Sequence, residues 1–358
     1  MSVMTRVSAL VRRHSTLAIL LVPLIVAGIA VNTFGSQLLI DMYTYFCVSL
    51  CMVFAVQMFM GNSGILSWTH IGFVGIGAYA AGILSTAPAV KSMGVPNMYP
   101  MLVDLNLPVL PSILIGGLVA AAVAAVIGYP LMRLSDFAGV ITLFATLIVI
   151  HVVMTQWDNV TNGPRTFFGV PDWTTITVGI IAAILVILLA YWFRESALGL
   201  RLRATRDDRY AAAAIGIDMV LVRYLTFVVS ALVAGIAGGL WAHYITSFSP
   251  KAFYMSEMFL LLSMLVIGGS GSISGAFSGT VIVTVARELL RQLESWINNA
   301  HVLSFEVYGL TELVMALLMV LVLVWRPGGV IGGQELRWPL IKRSGKDTTP
   351  AEEGQAAA

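Results

Sequence analysis

Stretches without Asp, Glu, Lys or Arg recur along the chain, at 14–40, 42–90, 105–132, 137–157, 173–193, 224–250 and 258–286. The segment 307–325 adds one more and carries a single acid, Glu312. About 20 mostly apolar residues cross the hydrocarbon core of a bilayer as a helix. These runs are continuously apolar rather than alternating, which favours helices over barrel strands. The run 42–90 is long enough for two spans and a turn. The run 258–286 is split by glycines into two short pieces. Counting both as pairs predicts ten spans.

Composition agrees with this pattern. Of 358 residues, 58% are hydrophobic and 11% charged, and the mean hydropathy is +0.91. A soluble domain carries about 25% charged residues. Soluble globular, disordered and nucleic-acid-binding classes are therefore excluded. Cys47 and Cys51, the only cysteines, sit four apart in one apolar run and read as buried helical thiols rather than a disulfide framework.

The net charge of +2 says little as a sum, but its placement sets an orientation. With ten spans, fifteen of the 20 Lys and Arg fall on one side. These include Arg6, Arg12 and Arg13, the 194–223 loop, and everything from Arg326 on. Lys91, Arg165, Lys251, Arg287 and Arg291 fall on the other. The positive-inside rule then puts both termini in the cytoplasm. The Arg12-Arg13 pair reads as a positive-inside anchor rather than an export signal. The expected fold is all-α: a polytopic bundle of about ten transmembrane helices, broken or short at the glycine-rich segments. Residues 1–16 form a basic cytoplasmic N-terminus, 17–330 the transmembrane domain, and 331–358 a polar, disordered cytoplasmic tail.

Three segments carry the chemistry. The first is Gly61-Asn62-Ser63-Gly64-Ile65-Leu66-Ser67-Trp68-Thr69-His70, followed by Phe73, Gly75 and Gly77. Its glycines weaken helix, and its hydroxyls and imidazole can hydrogen-bond. Broken helices in membranes line wet cavities or are buried in protein. A turn followed by small residues for helix packing fits equally well. His70 suits either a ligand contact or a capping role.

The second segment is the loop 194–223, the longest connection on the inside. Arg203, Ala204, Arg206, Asp207 and Asp208 lead into Ala211 to Ala214, and Gly216 closes the run. The aspartates start a helical turn, the alanines propagate it and the glycine ends it. A short exposed helix between two spans is a docking element for a cytoplasmic partner; a basic loop that only sets topology is the plainer alternative.

The third segment is Gly268-Gly269-Ser270-Gly271-Ser272, with Gly275 and Gly279 beyond. It lacks the lysine of a phosphate-binding P-loop. It reads as a hinge or substrate path, or as close helix packing.

Isolated polar groups remain. His151 and Thr155 lie one turn apart, Glu312 sits near the outer end of the last span, and Arg287, Glu288, Arg291 and Glu294 have helical spacing. Intramembrane ionisable groups are functional candidates; hydrated or salt-bridged surface is the simpler reading of Glu312 and the 287–294 charges. The five histidines show no metal spacing, and no catalytic motif occurs, so no catalytic residue, metal or resident cofactor is expected.

At these segments the chain resembles the permease subunits of bacterial branched-chain amino-acid ABC importers, most of all the M-type Liv permease. The matching residues are Gly61, Gly64, Leu66, Ser67, His70, Phe73 and Gly75 to Tyr79; Tyr129-Pro130, Arg133-Leu134, Thr161 to Pro164 and Gly169 to Pro171. They continue through Gly199, Leu202 to Ala204, Arg206, Ala211, Ala212, Ala214 and Gly216, then Phe227, Ser230, Gly235, Gly238 and Leu240. Ser249-Pro250, Phe253, Gly268, Gly269, Gly271, Ser272, Gly275 and Arg326 to Gly329 complete the series.

The resemblance implies a half-channel in the bacterial inner membrane. It would pair with a homologous permease, two cytoplasmic ATPases that use ATP, and an extracytoplasmic solute-binding protein. It implies that 204–218 is the coupling helix, with Arg203, Ala204, Arg206, Asp207, Asp208, Ala211, Ala212 and Gly216 its key residues. Ser67, Thr69, His70, Gly75, Gly77, Gly268, Gly269 and Gly271 would border the solute path. The chain departs from the family pattern at Ile65, Trp68, Thr69, Ala213 and Ala276. Related permeases carry urea, short amides and other small solutes, which stay open as cargo beside branched-chain amino acids. A stand-alone secondary transporter is the other alternative; it would need intramembrane acids, and Glu312 is the one such acid in this reading.

Overall fold

The computed structural model describes residues 3–134, 136–299, 309–326, 328–332 and 335. Fifteen helices fill them: α1 (Val3–Phe34), α2 (Gln37–Ser63), α3 (His70–Ser85), α4 (Pro88–Gly94), α5 (Pro100–Val103), α6 (Val109–Met132), α7 (Asp136–Gln156), α8 (Asp158–Thr161), α9 (Ile176–Glu195), α10 (Ala197–Asp207), α11 (Arg209–Ala214), α12 (Met219–Ile245), α13 (Met255–Gly268), α14 (Ile273–Asn299) and α15 (Leu310–Trp325). Two residue pairs, β1 (Phe167–Phe168) and β2 (Ser247–Phe248), form a small antiparallel ribbon.

Eight helical segments are long and apolar enough to cross a membrane, and α3 and α15 are shorter apolar helices. That makes ten apolar helices, two of them short. At 1.5 Å per residue, α3 and α15 reach only about 24 Å, so each covers less than the full hydrocarbon core. The chain is a multi-pass helical membrane protein.

The boundaries refine the sequence reading in three places. The run 42–90 breaks after Ser63, where Gly64 takes φ +73° and its N–H caps Met60 O. The run 258–286 breaks at Gly269, where φ is +113°. Beyond it, α14 continues past the charge-free limit to Asn299, so Arg287, Glu288, Arg291 and Glu294 extend a span rather than forming a separate helix. Their charges are met locally. Arg291 pairs with Glu288 at 2.7 Å, and Glu294 accepts from the backbone N–H and hydroxyl of Thr311. At the other end of the chain, α1 starts at Val3 and draws the basic N-terminus into the first helix. The tail beyond Glu335 lies outside the described residues.

The centre of the bundle is built from α2, α3, α6 and α12. Most of α2 is buried from Thr44 to Ser63. Glycines let α3, α6 and α12 approach backbone to backbone, since association within a bilayer rests on van der Waals packing rather than on expelling water. A Cβ on Gly77 would collide with the Gly235 backbone, and one on Gly238 with the Val74 carbonyl. One on Gly235 would stand 2.9 Å from Gly117 Cα. Two His–Ser pairs fasten the parallel helices α3 and α12 at the two ends of α3. His70 Nε2 meets Ser230 Oγ at 2.9 Å, and Ser85 Oγ meets His243 Nε2 at 2.8 Å.

The face carrying the β1–β2 ribbon is closed by aromatic packing of Tyr79, Phe167, Trp241, Phe248 and Phe253. Beside it, Lys91 is buried, with its Nζ donating to Leu102 O at 2.9 Å and to Leu105 O. Burial lowers its pKa, and Asp104 partly restores it. Lys91→Met leaves both carbonyls without this donor. We expect a stability loss of about 2 kcal/mol, read as an earlier melting transition of the detergent-solubilised chain.

Candidate functional site

The segment between α9 and α12 is two helices at an angle, not one. Ser196 starts α10, its Oγ accepting the Gly199 N–H at 3.2 Å. Asp208 then breaks the run with an extended backbone, and its carboxylate accepts the N–H groups of Tyr210 and Ala211 at 2.8 and 3.0 Å. A side-chain cap of this kind fixes where a short helix starts. The α11 helix ends in a Schellman motif: Gly216, at φ +81°, donates to Ala213 O, and Ile217 donates to Ala212 O. Asp218 restarts the chain by capping α12 at Leu221 N.

The first of these helices is clamped to the bundle. Leu202 and Thr205 are buried. Arg203 donates to Arg194 O, and Arg206 Nη1 donates to Gly61 O at 2.6 Å. The second helix projects. Tyr210 is 89% exposed and Ile215 75% exposed, the large side chains on this short alanine helix and its end. Of the residues assigned to this element by sequence, Arg203 and Arg206 hold it, Asp208 and Gly216 shape it, and Ala212 is buried under it. Ala204, exposed Asp207 and exposed Ala211 complete it.

Both glycine-rich breaks lie against this element. Gly61 abuts the Ser270 backbone, and Gly64 abuts the Arg206 side chain. The breaks also repeat one another: Gly61-Asn62-Ser63-Gly64-Ile65-Leu66-Ser67 answers Gly268-Gly269-Ser270-Gly271-Ser272-Ile273-Ser274. Each joins a helix ending at this face to one leaving it, α2 to α3 and α13 to α14. The segment after α15 seats on the second break. Val330 and Ile331 donate to Ile267 O and Gly268 O. Glu335 accepts the N–H groups of Ile273 and Ser274 and pairs with Arg194, at the end of α9.

The residues expected along a solute path fall into two groups. Ser67, Thr69 and His70 are wholly buried. His70 Nδ1 meets Ser67 Oγ at 2.7 Å, and Thr69 donates to Leu143 O at 2.7 Å. Phe59, Phe73 and Phe227 surround the imidazole. Gly75 lies against Met154 and Phe253, and Gly77 against Gly235. Gly268 packs on Gly275 and Gly279, and Gly269 on Gly328 and Gly332. Gly271 is half-buried in the turn between α13 and α14. None of these eight lines the cavity beside Arg206.

One polar cluster was not anticipated. Arg287 Nη1 donates to Tyr45 Oη at 2.5 Å, and Tyr45 Oη donates to Glu257 Oε1 at 3.2 Å, joining α2, α13 and α14. Glu257 lies one residue outside the charge-free stretch, which hid it. It lies within the candidate span 250–268, whereas Glu312, the acid singled out from the sequence, is exposed. His151 stacks on Tyr254 at 4.0 Å, and Thr155 bonds back to His151 O.

The family model described as the permease component of branched-chain amino acid transport systems matches residues 36–323. The high-affinity branched-chain amino acid transport permease LivM of Salmonella typhimurium is 26% identical, covering 87% of this chain and 74% of that protein. A probable LivM of Methanocaldococcus jannaschii is 25% identical, over 78% of this chain and 84% of that protein. The LivH permease of Salmonella typhimurium is 31% identical over 44% of this chain and 47% of its own. No solved structure matches.

Proposed function

The chain belongs to the family of branched-chain amino acid transport permease components, and from that premise we propose that it moves branched-chain amino acids into the cytoplasm as one half of an ABC importer channel. It is a transport subunit and not an enzyme. The ATP is hydrolysed by two separate cytoplasmic subunits, and an extracytoplasmic protein delivers the solute. A LivH-like permease completes the channel. Glycines bring α3, α6 and α12 backbone to backbone, which supports a solute path where the two permeases meet rather than between these helices. The face bearing α10 and α11 is the cytoplasmic one, and the membrane is the bacterial inner membrane.

The observation that carries this reading is the projecting α11 helix, with Tyr210 and Ile215 presented to a partner and α10 clamped behind it. Exposed aromatic anchors dominate the energy of protein interfaces. Tagged protein drawn from mild detergent after crosslinking is expected to bring down an ATPase pair and a second permease. Tyr210→Ala is expected to weaken ATPase recovery roughly tenfold while keeping the second permease. Recovery of the chain alone would sink the reading. Uptake of labelled leucine, challenged with urea and short amides, then identifies the cargo; competition by amides rather than valine would reassign it.

A further inference from the structure

Three helices bring a charged cluster together toward the outer side of the membrane region. Glu257 stands in the first turn of α13, which runs inward to the second glycine-rich break. Arg287 lies about 21 Å along α14 from that break, nearer the outer side of a core about 30 Å thick. Tyr45 stands about two turns into α2. Its hydroxyl accepts from Arg287 Nη1 and donates to Glu257 Oε1, so the guanidinium and the acid are joined through it. Among the described residues the two make no direct ion pair. Opposite charges taken out of water gain most from close contact, and a purely structural clamp would shut them on each other. Here Glu257 keeps Oε2, and Arg287 keeps Nε and Nη2, without a bond and without being sealed in protein. Glu312 of α15 is also within electrostatic reach of Arg287, but it is exposed.

We propose that Glu257 and Arg287 form a docking site for the zwitterionic backbone of an α-amino acid, with the ammonium on Glu257 and the carboxylate on Arg287. The inference rests on the importer reading and names the chemistry that its path selects. In such a solute one carbon separates the two charges; in the protein one hydroxyl separates the two receiving groups. The guanidinium offers paired donors to a carboxylate, and Glu257 Oε2 accepts from an ammonium. Urea and short amides carry neither charge, so they would cover both ions and satisfy neither. A site built on such bonds rejects solutes that lack the matching groups. Intramembrane ions of this kind mark solute pathways. The free atoms are reached from the surface of this chain, and the second permease supplies the opposite wall.

The test uses cells expressing the tagged full chain with its partners. They are irradiated briefly in the cold with a diazirine analogue of leucine, and the labelled peptides of this chain are identified. Label is expected on the segments around Glu257 and Arg287, prevented by excess leucine but not by isovaleramide. Glu257→Gln and Arg287→Gln should each weaken it roughly tenfold at unchanged membrane level. In Glu257→Gln the oxo acid of leucine, which lacks the ammonium, should protect as well as leucine does; a structural role would not move that ratio. Tyr45→Phe keeps both charges, lets them close on each other and should weaken labelling, which keeps the experiment decisive if a charge variant fails to fold. Native leucine uptake with no label at these segments, or label unchanged in the variants, would overturn the site and leave the importer reading standing. Uptake competed by urea and not by leucine would overturn both.

Discussion

Gly216→Pro is expected to abolish solute uptake by the assembled importer while the chain still inserts and elutes as a single species. Gly216 sits at φ +81° and donates its N–H to Ala213 O. Proline is fixed near φ −65° and has no N–H. The substitution removes the glycine's bond, and the next one, from Ile217 to Ala212 O, depends on the same turn. The α11 helix would then leave the bundle at a different angle, carrying Tyr210 and Ile215 away from the position proposed for ATPase docking. Nothing lies within 4 Å of a Cβ at Gly216, so Gly216→Ala probes conformation alone. A left-handed alanine costs about 1 kcal/mol, so it should reduce uptake without abolishing it. Uptake of labelled leucine in proteoliposomes, with ATP hydrolysis measured alongside, reads both variants. Hydrolysis that persists while uptake vanishes would mark lost coupling; native uptake by the proline variant would refute the assignment of 204–218.

Gly77→Leu is expected to have the largest effect on stability. A Cβ there meets the carbonyl and Cα of Gly235, and backbone in a packed helix cannot step aside as a side chain can. Overpacking of a tight core costs about 1–3 kcal/mol, and more where backbone must move. The separation of α3 from α12 would also disturb both His–Ser pairs. Limited proteolysis and fluorescence-detected gel filtration should show a loosened or aggregated species. Gly139→Leu is the matched control, since its position has open space around it. Equal behaviour of the two variants would remove the packing argument.

The apolar helices were legible because continuous apolar length is a property of local sequence, though two of the ten expected spans, α3 and α15, are shorter than a full crossing. Where spans break was legible for the same reason, at Gly64 and Gly269. What each break touches was not. The bond from Arg206 to Gly61 joins residues far apart in the chain, and no periodicity reports it. The 194–223 loop was read correctly as a capped, glycine-terminated helix in its second half. Its first half, α10, was read only as basic loop, because alternating Leu and Arg over 198–203 resembles no amphipathic repeat until Leu202 is seen to be buried. Charge-free length also misjudged α14, whose outer turns carry ions that pair among themselves. Glu257 escaped by one position. Ser67, Thr69 and His70 had chemistry suited both to buried hydrogen bonds and to a solute path, and the sequence had no means of showing which bonds they make.

The pairing of His70 with Ser230 has a consequence for biosynthesis. The two residues lie 160 positions apart. At about 5–20 residues per second, the ribosome needs roughly ten to thirty seconds to deliver the second after the first. Through that interval α3 is too short to span the hydrocarbon core comfortably, and of the two serines that meet its imidazole only Ser67 is at hand. The third span must therefore be held at the insertion machinery, or at the protein's own earlier helices, until the seventh arrives to close over it. The order of assembly is thereby imposed by the gene: the centre of the bundle cannot close before α12 is made, and a chain cut short before α12 would leave that centre open.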